Sequence, residues 1–439
     1  MTTPASPRLG AGASILFAAG SLGTGVFTTV PTVLLLYYCT EVLGIAPVWA
    51  SIIVFAPKAW SLIWDPLVGA WSDRAHGRFG RRRPFLAIGA VGVALAFVAV
   101  FAPQFEGAGV AIWTGVAYFL LASFYSLFAV PYTAIPAEII ADDQQRSRLI
   151  SLRMTFLMLG VLLGAAAAPM IIASAGGGRP GYGVMAVVIG TAAGIALLAP
   201  VFMMKRFDPP RARPERSSPA RRDAKGLPAR LGPFAALSAA FLLQLTAMGA
   251  VSAATPYLVV QVLHRDEADV GLALGAYILV TIFTVPAWGW LGRRIGEIRA
   301  LGIGAVLYGA AAILLGAGAQ AGWSWPHMMI VFVVAGLPFA ALQVLPFVLA
   351  ARYIRGAASG GSAEGRLSGA WTATEKLGLA LGPTLVGLMI SAHIGGAGTA
   401  IVDVLRWIPM TLVLLSLAPL ALAAALFERS AGRAATADG

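Results

Sequence analysis

Twelve apolar runs, each long enough to cross a bilayer, constrain this chain more than any single motif. The first covers about Ala11 to Tyr38, and others follow at about 48–71, 84–103, 110–137, 151–174, 183–204, 232–262, 269–291, 299–320, 326–350, 367–391 and 404–427. A helix needs about 20 apolar residues to span the hydrocarbon. Backbone in lipid must satisfy its own hydrogen bonds, and runs of this length do so as helices. The first run looks superficially like a signal sequence but is long enough to span by itself. The expected fold is an all-α polytopic membrane protein with twelve transmembrane helices.

Composition excludes the soluble alternatives. The chain is 59% hydrophobic and 11% charged, against about a quarter charged in soluble domains. A net charge of +12 raises the question of nucleic acid. The Lys and Arg residues lie in short clusters between apolar runs, with no basic face on a soluble module, so no nucleic-acid partner is expected and orientation explains them. With a cytoplasmic N-terminus, 26 of the 31 Lys and Arg fall on the inside, while Arg179, Arg265 and Arg406 remain outside. Both termini are then cytoplasmic, in a multi-pass protein of the cell (inner) membrane. The single Cys39 cannot form an intrachain disulfide, and no CxxC or Cys/His cluster suggests a metal or cofactor. A membrane prenyl- or glycosyltransferase would need clustered carboxylates for a metal-bound diphosphate. Asp142–Asp143 lacks the second acidic pair and sits beside Arg146 and Arg148, so no enzyme is expected.

The Pro-, Arg- and Ser-rich stretch 207–232 divides the chain into 1–206, a cytoplasmic basic linker, and 233–439. Internal repetition supports two six-helix bundles related by pseudo-symmetry. VPAWGWLGRRIGEIR (285–299) follows DPLVGAWSDRAHGRF (65–79) at an offset of 220, and RLSGAWTATEKLGLALG (366–382) follows RLISLRMTFLMLGVLLG (148–164) at 218. The halves differ in charge: Asp65 aligns with Val285, Asp73 with Arg293, and Glu375 and Lys376 with Leu157 and Met158.

The stretch AWSLIWDPLVGAWSDRAHGRFGRRRPF, from Ala59 to Phe85, concentrates the chemistry. Intramembrane carboxylates are costly and are generally paired or used. Lys58, Ser61 and Asp65 fall on one helix face, with Lys58 and Asp65 roughly 10 Å apart along the axis. Asp65 reads either as a structural ion pair with Lys58 or Lys376, or as a proton or cation site. Trp60 and Trp64 flank this stripe as lipid-facing anchors or walls of a pocket.

Two six-helix halves with a GxxxDR-type loop (Gly69, Asp73, Arg74) resemble the major facilitator superfamily. Within it, the 65–85 block is similar to the glycoside–pentoside–hexuronide:cation symporters, the group of the melibiose permease, and to the related sucrose transporters. VPYTAIPAEIIADDQQRSRLISLRMTF (130–156) and EGRLSGAWTATEKLGLALGP (364–383) agree with it.

The resemblance implies secondary active transport of a sugar or glycoside by alternating access. Asp65, Ser61, Lys58 and Lys376 are the coupling candidates. Tyr125, Tyr132, Thr133, Trp64, Trp371, Thr372 and Glu375 are the substrate candidates, and Gly69, Asp73, Arg74, Arg81, Arg82, Arg83, Glu138 and Arg153 the cytoplasmic gate. In the melibiose permease group helix 2 carries two acidic residues four apart. Here the second matches Asp65 and the first falls on Ser61, while the helix 4 and helix 1 aspartates fall on Ala129 and Gly25. One carboxylate makes a poor sodium site and an adequate proton site, so coupling to H+ is expected ahead of Na+, with uniport and a non-sugar amphiphile as alternatives. The protein is expected to work as a monomer in the lipid bilayer.

Overall fold

The computed structural model describes residues 10–75, 80–103, 105–140, 142–207, 231–357, 361–393 and 397–437. Most of the expected linker, 208–230, and Arg78 of the gate stretch lie outside the described residues. Twelve helices are long and apolar enough to cross a membrane among those described. They are α1 Ala11–Val42, α2 Pro47–Arg74, α3 Arg83–Phe101, α4 Gly109–Ile139, α5 Gln144–Ser174, α6 Gly178–Met204, α7 Leu231–Val262, α8 Glu267–Ile295, α9 Glu297–Gln320, α10 Trp325–Ile354, α11 Arg366–Ala392 and α12 Ala397–Phe427.

Local chemistry sets several of these limits. Pro47 opens α2 and Pro84 lies in the first turn of α3, where a missing N–H breaks no helical bond. Asp142 accepts the Gln144 and Gln145 backbone N–H groups at 3.2 and 3.3 Å, so this carboxylate caps a helix. Large apolar side chains face outward, Phe283 being 75% and Ile112 70% exposed. Continuous apolar surface of that kind suits hydrocarbon, not water.

The chain divides into two compact units, Met1–Glu215 with Asp266–Gly271 and Arg216–Arg265 with Leu272–Gly439. In the first, α1 packs on α5 and α6, and α3 on α4 and α6. In the second, α7 packs on α11 and α12, and α9 on α10 and α12. These four pairings recur, moved on by six helices.

The repeat reaches individual atoms. A Cβ on Gly160 of α5 would meet the Leu22 carbonyl of α1, and one on Gly378 of α11 would meet the Leu242 carbonyl of α7 at 3.1 Å. Gly164 faces Val26, Thr29 and Val30, while Gly382 faces Thr246, Gly249 and Ala250. Glycine lets these helix backbones approach without an intervening side chain. The helix ends match as well. α1 closes in a π turn, Tyr38–Val42, and α7 in Leu258–Val262. A backbone bond of 2.9 Å joins Leu43 to Tyr38 in one and Leu263 to Leu258 in the other. The next residues, Gly44 and His264, adopt φ of 67° and 50°, a left-handed conformation that glycine takes freely and histidine at a cost.

Candidate functional site

On α2, Ser61, Val68 and Ser72 are buried, with Lys58 and Asp65 half-buried on the same side. These positions recur every three or four residues, so they form one stripe. Ser61 donates its proton to the Lys58 carbonyl at 2.7 Å. Its oxygen keeps lone pairs for a proton donor or a cation. Lys58 Nζ donates to Thr32 Oγ1 of α1 at 3.3 Å.

That contact introduces residues that sequence reasoning missed. Ser21, Thr24, Thr28 and Thr32 form a hydroxyl row along α1. Thr32 donates to the Thr28 carbonyl at 2.7 Å and Thr28 to the Thr24 carbonyl at 2.6 Å. Tyr125 Oη of α4 lies 3.1 Å from Thr28 Oγ1. Thr28 has a single proton, so with that proton on the Thr24 carbonyl, Tyr125 is left as the donor. The available signal was three- and four-residue spacing of hydroxyls within an apolar run. Lys58 and Tyr125 therefore meet the same helix, at Thr32 and Thr28.

Toward the start of α1 the row ends in a tighter cluster. Tyr132 is 1% exposed, donates to the Phe17 carbonyl at 2.6 Å, and lies 3.0 Å from Ser21 Oγ. Arg153 Nε donates to Ser21 at 3.3 Å, with its guanidinium carbon 4.3 Å from the Tyr132 ring centroid. This cation–π contact joins α1, α4 and α5. Tyr132 is enclosed in that junction, while the neighbouring Thr133 is exposed and donates to the Val130 carbonyl at 2.9 Å.

The tryptophans lean on α4. Trp60 Nε1 donates to Ser123 Oγ at 3.2 Å and Trp64 Nε1 to the Ser123 carbonyl at 3.1 Å. Their rings stack with centroids 5.5 Å apart, and Trp71 meets Trp64 edge-on at 6.5 Å. Trp64 is thus fixed between α2 and α4 by its polar atom and by stacking on Trp60.

At the arginine-rich end of the unit, the gate residues converge. Arg82, 4% exposed, donates Nε to Glu138 at 2.8 Å, Nη2 to Asp73 at 2.8 Å and Nη1 to Ser72 at 3.1 Å. Arg82 Nη2 and Arg81 also bond the other Glu138 oxygen. Burial alone would weaken the Arg82 charge, but its bonds to Glu138 and Asp73 and their negative charges more than offset this and raise its pKa. Arg74 is exposed and Arg83 half-buried. Gly69, where an added Cβ would come 3.6 Å from Val130, lies one turn before Asp73.

In the second unit, Trp371 is 5% exposed, with its ring stacked on Phe241 at 4.4 Å and an interplanar angle of 3°. Phe241 occupies one face of the indole. Thr372, one residue on, is exposed and donates to the Ser368 carbonyl at 3.1 Å. Glu375 and Lys376 are half-buried on the same helix, α11.

The missing carboxylates have a partial steric explanation. A Cβ on Gly25 would fall 2.5 Å from the Leu157 carbonyl oxygen of α5. No acidic side chain fits there while α1 and α5 pack this closely.

The chain belongs to the MFS/sugar transport protein family, whose model matches residues 16–429. Membership places it among transporters and not enzymes. Similar proteins include the putative glycoside/cation symporter YagG of Escherichia coli (strain K12), 31% identical over 185 residues, which are 42% of this chain and 40% of that protein. The uncharacterized symporter YnaJ of Bacillus subtilis (strain 168) is 32% identical over 159 residues, 36% of this chain and 34% of its own length. The sodium-dependent lysophosphatidylcholine symporter 1 of Xenopus tropicalis is 31% identical over 137 residues, covering 31% of this chain and 26% of that protein. The matched segments therefore span well under half of each relative. Among solved structures, a peptide transporter POT aligns over 96% of this chain and 97% of its own, with TM-score 0.67 and 15% identity. A bacterial homolog to the human lysosomal transporter Spinster aligns over 95% of both chains, with TM-score 0.67 and 14% identity. These likenesses show the fold: the major facilitator arrangement of twelve helices.

Proposed function

We propose that the protein is a secondary active transporter that carries a sugar or glycoside together with a proton by alternating access. The observation that carries this reading is the polar stripe inside the first unit: Asp65 and Ser61 on α2, and Lys58 bonded to the hydroxyl row of α1. Intramembrane charge of this kind marks ion and substrate pathways. Family membership and the glycoside/cation name of one relative support a sugar as cargo.

Asp65 is the proposed titrating group of the first unit, with Ser61 and Lys58 beside it in the stripe, and Lys376 of α11 is the proposed coupling charge within the second unit. Within the first unit Tyr125, Thr28, Thr32 and Thr133 are the proposed hydroxyls for a polar solute, and within the second unit Thr372 and Glu375 of α11 are the proposed polar groups. Tyr132, Trp64 and Trp371 are assigned to the packing that holds these groups in place. The Asp73–Arg82–Glu138 cluster, with Arg81, is the proposed cytoplasmic clasp, and both termini are proposed to lie on that side.

A second reading is an amphiphile as cargo. The lysophosphatidylcholine symporter among the relatives and the indole ladder Trp60–Trp64–Trp71 favour it, and that relative's name brings Na+ as the alternative ion. Purified protein in proteoliposomes distinguishes these. A sugar panel and a labelled lysolipid are offered under an imposed pH gradient, a Na+ gradient, or neither. Accumulation of a sugar driven by the pH gradient is expected; accumulation of no solute under any gradient removes the transporter reading.

A further inference from the structure

We propose that the end of the second unit where α9, α10 and α12 meet binds the headgroup of an anionic phospholipid. A cavity of about 240 Å³ opens there, lined in part by Glu297, Arg299, Leu349, Arg352, Tyr353 and Phe427. Its depth in the bilayer can be read from α8. Trp290 is 51% exposed, and Arg294 lies over its ring with the guanidinium carbon 4.9 Å from the centroid. Tryptophan beside arginine at a helix end marks the headgroup level. Ile295 ends α8 directly after Arg294, and Gly296 with φ of 92° turns the chain into α9. Ile295 and Gly296 line the cavity, which places it at that level.

The walls are amphipathic. On the polar side, Arg352 holds Glu297 through two bonds of 3.1 and 2.7 Å. Arg299 is exposed and makes no ion pair among the described residues. Two guanidinium groups and one carboxylate leave one positive charge, which matches a singly charged phosphodiester. On the apolar side, the Phe427 ring meets Tyr353 edge-on at 4.8 Å, and the Tyr353 hydroxyl is taken by the Ala423 carbonyl at 3.2 Å. Leu349 and Ala424 continue this wall along α10 and α12. An acyl chain can lie against it, whereas free phosphate would use only the arginines. Basic pockets between spans at the membrane surface suit phospholipid headgroups for this reason.

The test uses the purified full chain in detergent, titrated with phosphatidylglycerol, phosphatidylcholine or inorganic phosphate, and read by native mass spectrometry and thermal unfolding. Wild type is expected to retain phosphatidylglycerol and gain thermal stability from it, with little effect from phosphatidylcholine. Arg299→Gln should weaken retention about fivefold, the effect of one basic residue at a membrane surface. Arg299→Lys should keep most of it, and Ala424→Trp, which fills the cavity without changing charge, should abolish it. Equal retention of the two lipids, or undiminished phosphatidylglycerol retention in both Arg299→Gln and Ala424→Trp, overturns the proposal. Displacement of the lipid by millimolar inorganic phosphate assigns the cavity to free phosphate and equally overturns it. None of these readouts depends on transport.

Discussion

Asp65 lies nine residues before Arg74, the last residue of α2, about 14 Å from that helix end at the rise of an α-helix. A charge at such depth is costly, and this motivates the proposed coupling role of Asp65. Under the proposed mechanism, Asp65→Asn fixes the neutral form. It should abolish proton-driven accumulation while sparing solute exchange down a gradient, as measured by counterflow in proteoliposomes. Undiminished uphill transport would remove Asp65 from coupling. Gly160 tests packing instead of chemistry. A side chain there meets the Leu22 backbone carbonyl, which cannot rotate away as a flexible side chain could. Gly160→Leu should lower stability by at least the roughly 1–3 kcal/mol typical of overpacking, seen as a lower unfolding midpoint in detergent. The sequence pointed to Asp65, because an acid in an apolar run stands out. It did not reveal Thr28 and Thr32, whose hydroxyls are individually unremarkable in membrane helices that satisfy them through backbone carbonyls. It also gave no means of knowing that Trp371 would turn to Phe241. Phe241 belongs to another helix, α7, and no spacing within α11 identifies the partner of the Trp371 indole.

Helix ends show a charge exchange between the halves. In the first unit an arginine at the start of α3, Arg82, holds an acid at the end of α4, Glu138. In the second, an acid at the start of α9, Glu297, is held by an arginine at the end of α10, Arg352. The same clasp is built with opposite polarity, so the pairing matters more than which helix bears which sign. Arg82→Glu and Glu138→Arg should each destabilise the unit, while the double exchange recovers part of the loss. A coupling energy in a thermal-unfolding double-mutant cycle of about 0.5–3 kcal/mol is expected. Additive losses would show that the clasp contributes nothing as a pair. The family resemblance groups Glu138 with Arg81, Arg82 and Arg83 at the gate, and Arg81 and Arg82 bond it. No such guide exists for Glu297 and Arg352, which do not align with the first clasp residue for residue.

For the whole molecule, the twelve spans were legible because bilayer thickness imposes one length on every crossing. Two matching segments also predicted a repeat that the glycine contacts now display. Register between neighbouring helices was harder to read, because lipid-facing and inward-facing residues are both apolar here. The paired π turns carry a consequence for construction. The segments 38–44 and 258–264 end their helices with the same backbone bonds and the same left-handed exit, though they share little sequence and the exit residue is glycine in one and histidine in the other. Their backbone geometry is the same, while Tyr38 of the first segment also bonds the Phe101 carbonyl at 3.0 Å. A chain carrying the second segment in place of the first, with Tyr38 kept for its bond to the Phe101 carbonyl, should still insert and purify as a monodisperse species by size-exclusion chromatography, less stable by about 1–2 kcal/mol for the extra left-handed side chain. Aggregation of the exchanged chain would mean that side chains, and not backbone geometry, define these joints.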